Sequence, residues 1–193
     1  QQEKADILFV VPASNLADFA PFRSQHRAGL SDSDLRVWNE YEARARTLMS
    51  QNKAAEALIE IEHAEEIDNR YAALWFLKGQ TEWSLGEFGH AKQSFLKARD
   101  EDVCPLRATE RILEVVRNIP KSTGQSVVDF EQIVTQHSEQ GVPGASMFHD
   151  HVHPTMEANR LLALQIVDEL RDRKIVLPAP TWGDESIAEV TRL

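Results

Sequence analysis

The chain has 193 residues, 42% of them hydrophobic and 27% charged, a composition that supports a packed core and excludes bulk disorder. Its 31 acidic against 21 basic residues leave a formal net charge of −10, which repels nucleic acid and anionic membrane surfaces as main partners. A single cysteine, Cys104, excludes an internal disulfide and any multi-cysteine zinc site, and is expected to be a buried thiol.

The first element in chain order is DILFVVP, whose apolar run Ile7 to Val11 is bounded by proline and reads as a buried strand. The run is far shorter than the roughly 20 residues that span a bilayer, and no signal-peptide pattern precedes it. The sequence therefore reads as a soluble segment with no membrane partner. It opens on Gln1 and enters strand-like sequence within a few residues, which reads as a processed piece. Ser14 and Asn15 of PASNL follow the strand as turn residues, and Asp32 and Asp34 mark a helix start.

A repeat follows. Ala57, Ile61 and Ala64 recur as Ala91, Phe95 and Ala98, each 34 residues on, and the same register pairs Tyr41 with Trp75 and Ala45 with Gly79. Small residues let two helices approach, and the larger side chain fills the space they leave. Gly86 occupies the turn of the second unit, Leu74 to Ala98. Asn52 takes the equivalent place in the first, Trp38 to Asn69, and tolerates the left-handed conformation a turn needs there. A third helix, Leu106 to Asn118, is predicted to follow, with Pro120 and Gly124 ending the helical stack. Roughly three repeats make a self-sufficient stack, so two repeats and a helix must lean on something else. The acidic run Glu56, Glu60, Glu62, Glu65, Glu66 and Asp68 reads as a solvated face.

QSVVDFEQIV supplies a second short strand, Ser126 to Phe130. Two such strands joined by a long helical crossover belong in a parallel sheet covered on both faces. Next comes FHDHVHP, with histidines at 149, 151 and 153 and Asp150 among them. Pro154 is placed at the first position of a closing helix in which Ala163, Ile166, Val167 and Leu170 form one apolar face. The tail beyond Lys174 carries no pattern, and Trp182 is expected to pack it against the body.

Asp150 and His153 are three apart at a helix start. That spacing lets the carboxylate meet imidazole Nδ1, fixing the tautomer and leaving Nε2 free to take a proton. A zinc site on His149, His151 and His153 is the alternative, since imidazole is a common ligand, but nothing in the sequence marks a fourth ligand or a second shell. A solvated polar loop is the third reading.

The Leu74 to Ala98 unit resembles a tetratricopeptide repeat (TPR). DHVHP with its helix, VVDFEQIVTQHSEQGVPG and PASNLADFAPF together resemble the C-terminal blocks of an SGNH/GDSL-type hydrolase carrying a TPR insertion. In that family a D-x-x-H-P block supplies the acid and base of a Ser-His-Asp triad acting on esters or acyl groups. The resemblance implies Asp150 as the orienting carboxylate and His153 as the general base. Ala158 stands where members often have glycine. The nucleophile serine block and the oxyanion-hole glycine and asparagine blocks are missing. GAS at Gly144 to Ser146 lacks the strand-turn-helix setting of a nucleophile elbow, and Ser14 and Asn15 lie past the asparagine block. The chain alone is therefore expected to be inactive, and no cofactor is implied.

The fold class expected is mainly α with an α/β remnant. TPR-like hairpins over 31–119 are flanked by the strand and loop of 1–30 and by a C-terminal hydrolase-like part over 120–193, the remains of a Rossmann-like SGNH domain. TPR geometry would line the concave face with Asn39, Glu42, Arg46 and Met49, then Ala73, Phe76, Gln80 and Trp83. Of these, Arg46, Phe76, Gln80 and Trp83 are the candidates for a peptide or protein partner, the competing expectation being that the Phe76, Gln80 and Trp83 stripe packs on the hydrolase-like part. Unpaired strand edges imply a homodimer or a disordered N-terminal arm. No compartment is legible, an extracytoplasmic bacterial segment being one reading.

Overall fold

A computed structural model describes residues 6–176; Trp182 and the tail around it lie outside the described residues. The chain is mainly helical. After strand β1 (Leu8–Val11) come α1 (Asp32–Ser50), α2 (Ala54–Ile67), α3 (Ala72–Ser84), α4 (Phe88–Asp100) and α5 (Glu110–Thr123). Strand β2 (Ser126–Asp129), α6 (Phe130–His137) and α7 (Met156–Asp172) complete it.

The four helices α1 to α4 form two successive antiparallel hairpins, and the sequence shows why they turn where they do. Asn52 and Gly86, one repeat apart, hold φ of 60° and 79° in the two turns, the left-handed region that asparagine tolerates and glycine favours. Ser31 caps α1 by accepting from the Asp34 N–H at 3.1 Å, which places Asp32 and Asp34 in the first turn as expected. Of the repeated positions, Ala45, Ala57, Ile61, Ala64, Ala91, Phe95 and Ala98 are buried and face the hairpin interiors, while Tyr41 and Trp75 are half-buried at their edge. The first hairpin closes over Trp38, Ala45, Ile61 and Ala64, with Leu74 and Leu77 of α3 completing the cluster.

The strands pair parallel in the register Leu8 with Ser126 through Val11 with Asp129. The connection between them is the whole helical region, the long crossover a parallel pair requires. α5, α6 and α7 pack around this two-stranded sheet. Val10 and Ala13 join Phe130, Val134, Met147, Phe148 and Ala158 in its core. β1 and Ala13 therefore belong physically with residues 120–176.

Several local expectations are corrected. α5 begins at Glu110 and runs through Pro120, ending at Thr123, where Gly124 takes φ of 69° and donates to the Pro120 carbonyl at 3.0 Å. Proline there gives up the N–H bond to the Val116 carbonyl, and the helix closes within one further turn. Cys104 is exposed, not buried, because it sits in the turn after α4. Asp68 is not solvated: at 1% exposure it takes a hydrogen bond from His26 Nδ1 at 2.7 Å and N–H bonds from Arg27 and Arg70. α7 buries Ala158 and packs Leu161 and Leu162, whereas Ala163 and Val167 of the predicted face are exposed. Leu161 and Leu162 pack the first two turns against the body, and further along Glu169 accepts from the Ser126 hydroxyl of β2, while Ile166 and Leu170 of the predicted face are half-buried.

Between β1 and α1 the chain runs along the second hairpin. Leu16 packs with Phe95 and Ala91, Ser24 Oγ accepts from the Ala73 N–H at 2.8 Å, and Asp102 accepts from the Phe22 and Arg23 N–H groups at 2.7 and 3.0 Å. Two hairpins thus gain the support they lack as a short stack. Arg99, with a side chain 1% exposed, ties α4 to α5 and α6 through Asp100, Glu110 and Glu131 at 2.9, 3.0 and 3.2 Å.

Candidate functional site

The histidine loop is a short closed excursion between a buried phenylalanine and the cap of α7. Phe148, 1% exposed, forms an antiparallel bridge with Pro154, and the His149 N–H donates to the His153 carbonyl at 2.9 Å. The Thr155 N–H donates to the Met147 carbonyl at 2.9 Å, and Thr155 Oγ1 accepts from the Ala158 N–H at 3.3 Å. Thr155 is thus the N-cap and Met156 the first helical residue. Pro154 lies outside the helix rather than at its first position, because its role is to close the loop against Phe148.

Within the loop Asp150 is saturated. Oδ1 accepts from the Val152 and His153 N–H groups, both at 2.9 Å, and Oδ2 accepts from His153 Nδ1 at 2.6 Å. The two backbone donors, then the imidazole, hold its carboxyl well below the usual carboxylate range. An acceptor-only carboxylate fixes the Nδ1–H tautomer, so Nε2 carries the free lone pair. The His153 side chain is 73% exposed, and among the described residues no serine, threonine or cysteine hydrogen-bonds to it. The pair is assembled, with its basic nitrogen presented outward.

The other two histidines do different things. His149 is exposed. His151 inserts its ring against Phe19 and Phe22, 5.0 Å from each centroid, and its carbonyl accepts from the Asn15 N–H at 3.0 Å. Among the described residues no three His, Cys, Asp or Glu side chains form a group able to hold a metal, the histidine loop included.

Asn15 is a turn residue, as predicted, its Oδ1 accepting from the Asp18 N–H at 3.0 Å; it and Ser14 are buried beside the loop. The turn Gly144 to Ser146 is tied to the same place by Thr155 Oγ1, which donates to the Ser146 carbonyl at 3.4 Å. Phe76 packs into the cluster around Phe95, while Gln80 and Trp83 border a cleft that also touches Asp18 and Gly144 to Ser146. Arg46 lies apart on α1, paired with Glu42. The expected partner-binding set is therefore split by the fold.

Two residues near the site escaped the sequence reading. Arg107, 3% exposed, donates from Nη1 to the carbonyls of Asn15 and Phe19 at 2.8 and 3.0 Å. Its Nε and Nη2 are buried without a partner, and burial lowers its pKa. Asp18 reaches across from the first loop to accept from the Ala145 N–H at 2.7 Å. An arginine in a helix-flanking turn and an aspartate after a strand carry no pattern of their own; only the long-range contact marks them.

Compared with known proteins, the chain matches no protein-family model, no curated protein and no solved structure.

Proposed function

We propose that this chain carries the acid and base of an SGNH-type ester or acyl hydrolase, mounted against a two-hairpin TPR-like module. The observation that carries the reading is the 2.6 Å contact of His153 Nδ1 with an Asp150 carboxylate that two backbone N–H groups already hold. Supporting it is the order of elements, a β-strand and a turn asparagine packed beside the loop that bears the pair.

In this mechanism His153 Nε2 takes the proton of a serine hydroxyl as the oxygen attacks an ester carbonyl, then returns it to the leaving alkoxide. Asp150 orients the ring and stabilises the imidazolium that forms between these steps. The serine and the oxyanion donors come from a segment other than the one described, so the chain alone hydrolyses nothing. The outer edges of the two-stranded sheet, unpaired among the described residues, are where such a segment, or a second copy of this chain, would add a strand.

Hydrolysis of p-nitrophenyl acetate, butyrate and octanoate tests the reading. This chain should show none that depends on His153, whereas the product of a coding sequence extended upstream should lose roughly a thousandfold or more on His153→Ala. His153-dependent hydrolysis by this chain alone would overturn its inertness, and an extended product indifferent to His153→Ala would overturn the triad.

A second reading, a non-catalytic interaction module, draws on the placement of Gln80 and Trp83 at the border of a cleft.

A further inference from the structure

The cleft bordered by Gln80 and Trp83 has a volume of about 510 Å³ and lies where the second hairpin meets the turns of the sheet-bearing part. Among the described residues its charged side chains are both carboxylates, Asp18 and Glu139, and no lysine, arginine or histidine lines it. A larger hollow of about 570 Å³, on the α3 and α4 pair, differs in kind because lysines line it beside acids. There Lys78 and Lys97 are already paired, with Glu65 and Glu101 at 2.5 and 2.7 Å.

The smaller cleft is a built feature. Asp18 is fixed in its wall by the Ala145 N–H at 2.7 Å. Gly144 makes that approach possible, since a Cβ there would run into Asp18 Oδ2. Glu139, exposed at the start of a short 3₁₀ turn, has no side-chain hydrogen bond or ion pair among the described residues. Trp83 is half-buried, braced edge-on by Phe88 at 4.8 Å, with Phe95 and Val142 adding apolar wall. Gln80 and Ser84, exposed one helical turn apart on α3, put an amide and a hydroxyl at its border.

Two carboxylates that no cation among the described residues pairs, in a concave, partly apolar setting, focus a negative potential. An anion is repelled there, and a neutral apolar group would desolvate both carboxylates without replacing their water. A cation on an aliphatic stem satisfies every wall, the stem lying along Phe95 and Val142 and the charge meeting the carboxylates and the indole. The polar border groups and the exposed Ala145 and Ser146 beside them suit a main chain running past the cleft, which a free amine would leave unused. We propose that this cleft binds a lysine or arginine side chain presented by an extended segment of a partner protein. The proposal is independent of the hydrolytic reading, because none of its residues belongs to the Asp150–His153 pair.

The test uses the full chain, with glycine-serine nonapeptides carrying one central lysine, arginine, norleucine or acetyl-lysine, followed through the Trp83 indole N–H and Gln80 side-chain amide resonances. Lysine and arginine peptides should shift both resonances saturably, with affinity falling as salt is raised, and norleucine or acetyl-lysine should weaken binding tenfold or more. Glu139→Gln should weaken the lysine peptide severalfold, and because Glu139 makes no bond within the described chain this variant folds as the parent does. Trp83→Leu should weaken it further, while Glu66→Gln on the distant acidic face leaves it unchanged. Equal binding of norleucine, no effect of Glu139→Gln, or butylammonium binding as tightly as the lysine peptide would each overturn the proposal.

Discussion

Gly79→Ala should destabilise the protein even though alanine is the better helix former. A Cβ on Gly79 of α3 would stand 2.7 Å from both Cδ1 and Cε1 of Phe95 and 3.0 Å from its Cγ. Carbon atoms pack at about 3.5–4.0 Å, so the methyl lacks roughly 0.8 Å or more of the space it needs. Phe95 is 2% exposed and cannot swing aside, because Phe76 stands 5.4 Å away and Leu16 and Val142 pack around it. Overpacking of this kind costs about 1–3 kcal/mol, while replacing glycine within a helix returns up to about 1 kcal/mol. The net expectation is a loss of up to about 2 kcal/mol, each kcal/mol being about 2–4 °C in Tm for a chain of this size, whereas Gly89→Ala carries no overpacking cost. Gly89 on α4 is the matched control, since a Cβ there meets nothing within 4 Å and Gly89→Ala should be neutral or slightly stabilising. Urea unfolding followed by circular dichroism measures both. In a double-mutant cycle Phe95→Leu should cost less in the Gly79→Ala background than alone. A Gly79→Ala protein as stable as Gly89→Ala would refute the claim that a close helix approach explains the small residue.

Arg99→Met should cost about 2 kcal/mol in urea unfolding, because it removes the buried cation that joins Asp100, Glu110 and Glu131 at 2.9–3.2 Å and leaves Asp100 without it, while Arg117 still pairs with Glu110 and Glu131; a loss under about 0.5 kcal/mol would show that the Arg99 contacts hold nothing. Glu82 has its pKa raised by burial against the opposing hydrogen bond from Ser94, so its ionised form depresses stability at neutral pH. That depression fades as pH falls through the raised pKa and vanishes below the ordinary carboxylate value. Glu82→Gln should therefore stabilise the protein at pH 7, with the gain disappearing by about pH 4 in a Tm series; a pH-independent difference would contradict it. Asp150 has the opposite sign: its depressed pKa means that its bonds are intact above the ordinary carboxylate value and are lost only as pH falls through the lowered one. The Asp150 side-chain carboxyl carbon resonance should show no protonation step of its own down to about pH 4, and a step with its midpoint near the ordinary aspartate value of about 3.9 would refute the saturation of that carboxylate.

What could be read from the sequence had short reach along the chain. The hairpin helices, the turn residues Asn52 and Gly86, and the Asp150–His153 contact each depend on neighbours within a few positions, so residue type and spacing carry them. Errors arose where local signals compete. Proline ordinarily ends a helix, yet Pro120 lies inside the last turn of α5, since Gly124 two turns after Val116 supplies the stop. Ala163 and Val167 keep helical periodicity, but the packed stripe is Ala158, Leu161 and Leu162. Two apolar stripes on one helix cannot be ranked without knowing where the neighbour stands.

By itself, then, the sequence determined the helical repeat, the two strands and the Asp150–His153 contact, all built from contacts between near neighbours. The tertiary structure decided the rest. It set Leu8 opposite Ser126 across the whole helical crossover, buried Asp68 under the N-terminal segment and left Cys104 in solvent. It also brought Asp18 to Ala145 beside Trp83, 127 residues apart along the chain, which made a carboxylate-lined cleft out of residues that carry no shared motif. The physical reason is that a buried charge or a cleft depends on which distant surfaces meet, and residue spacing along one segment does not specify its partner.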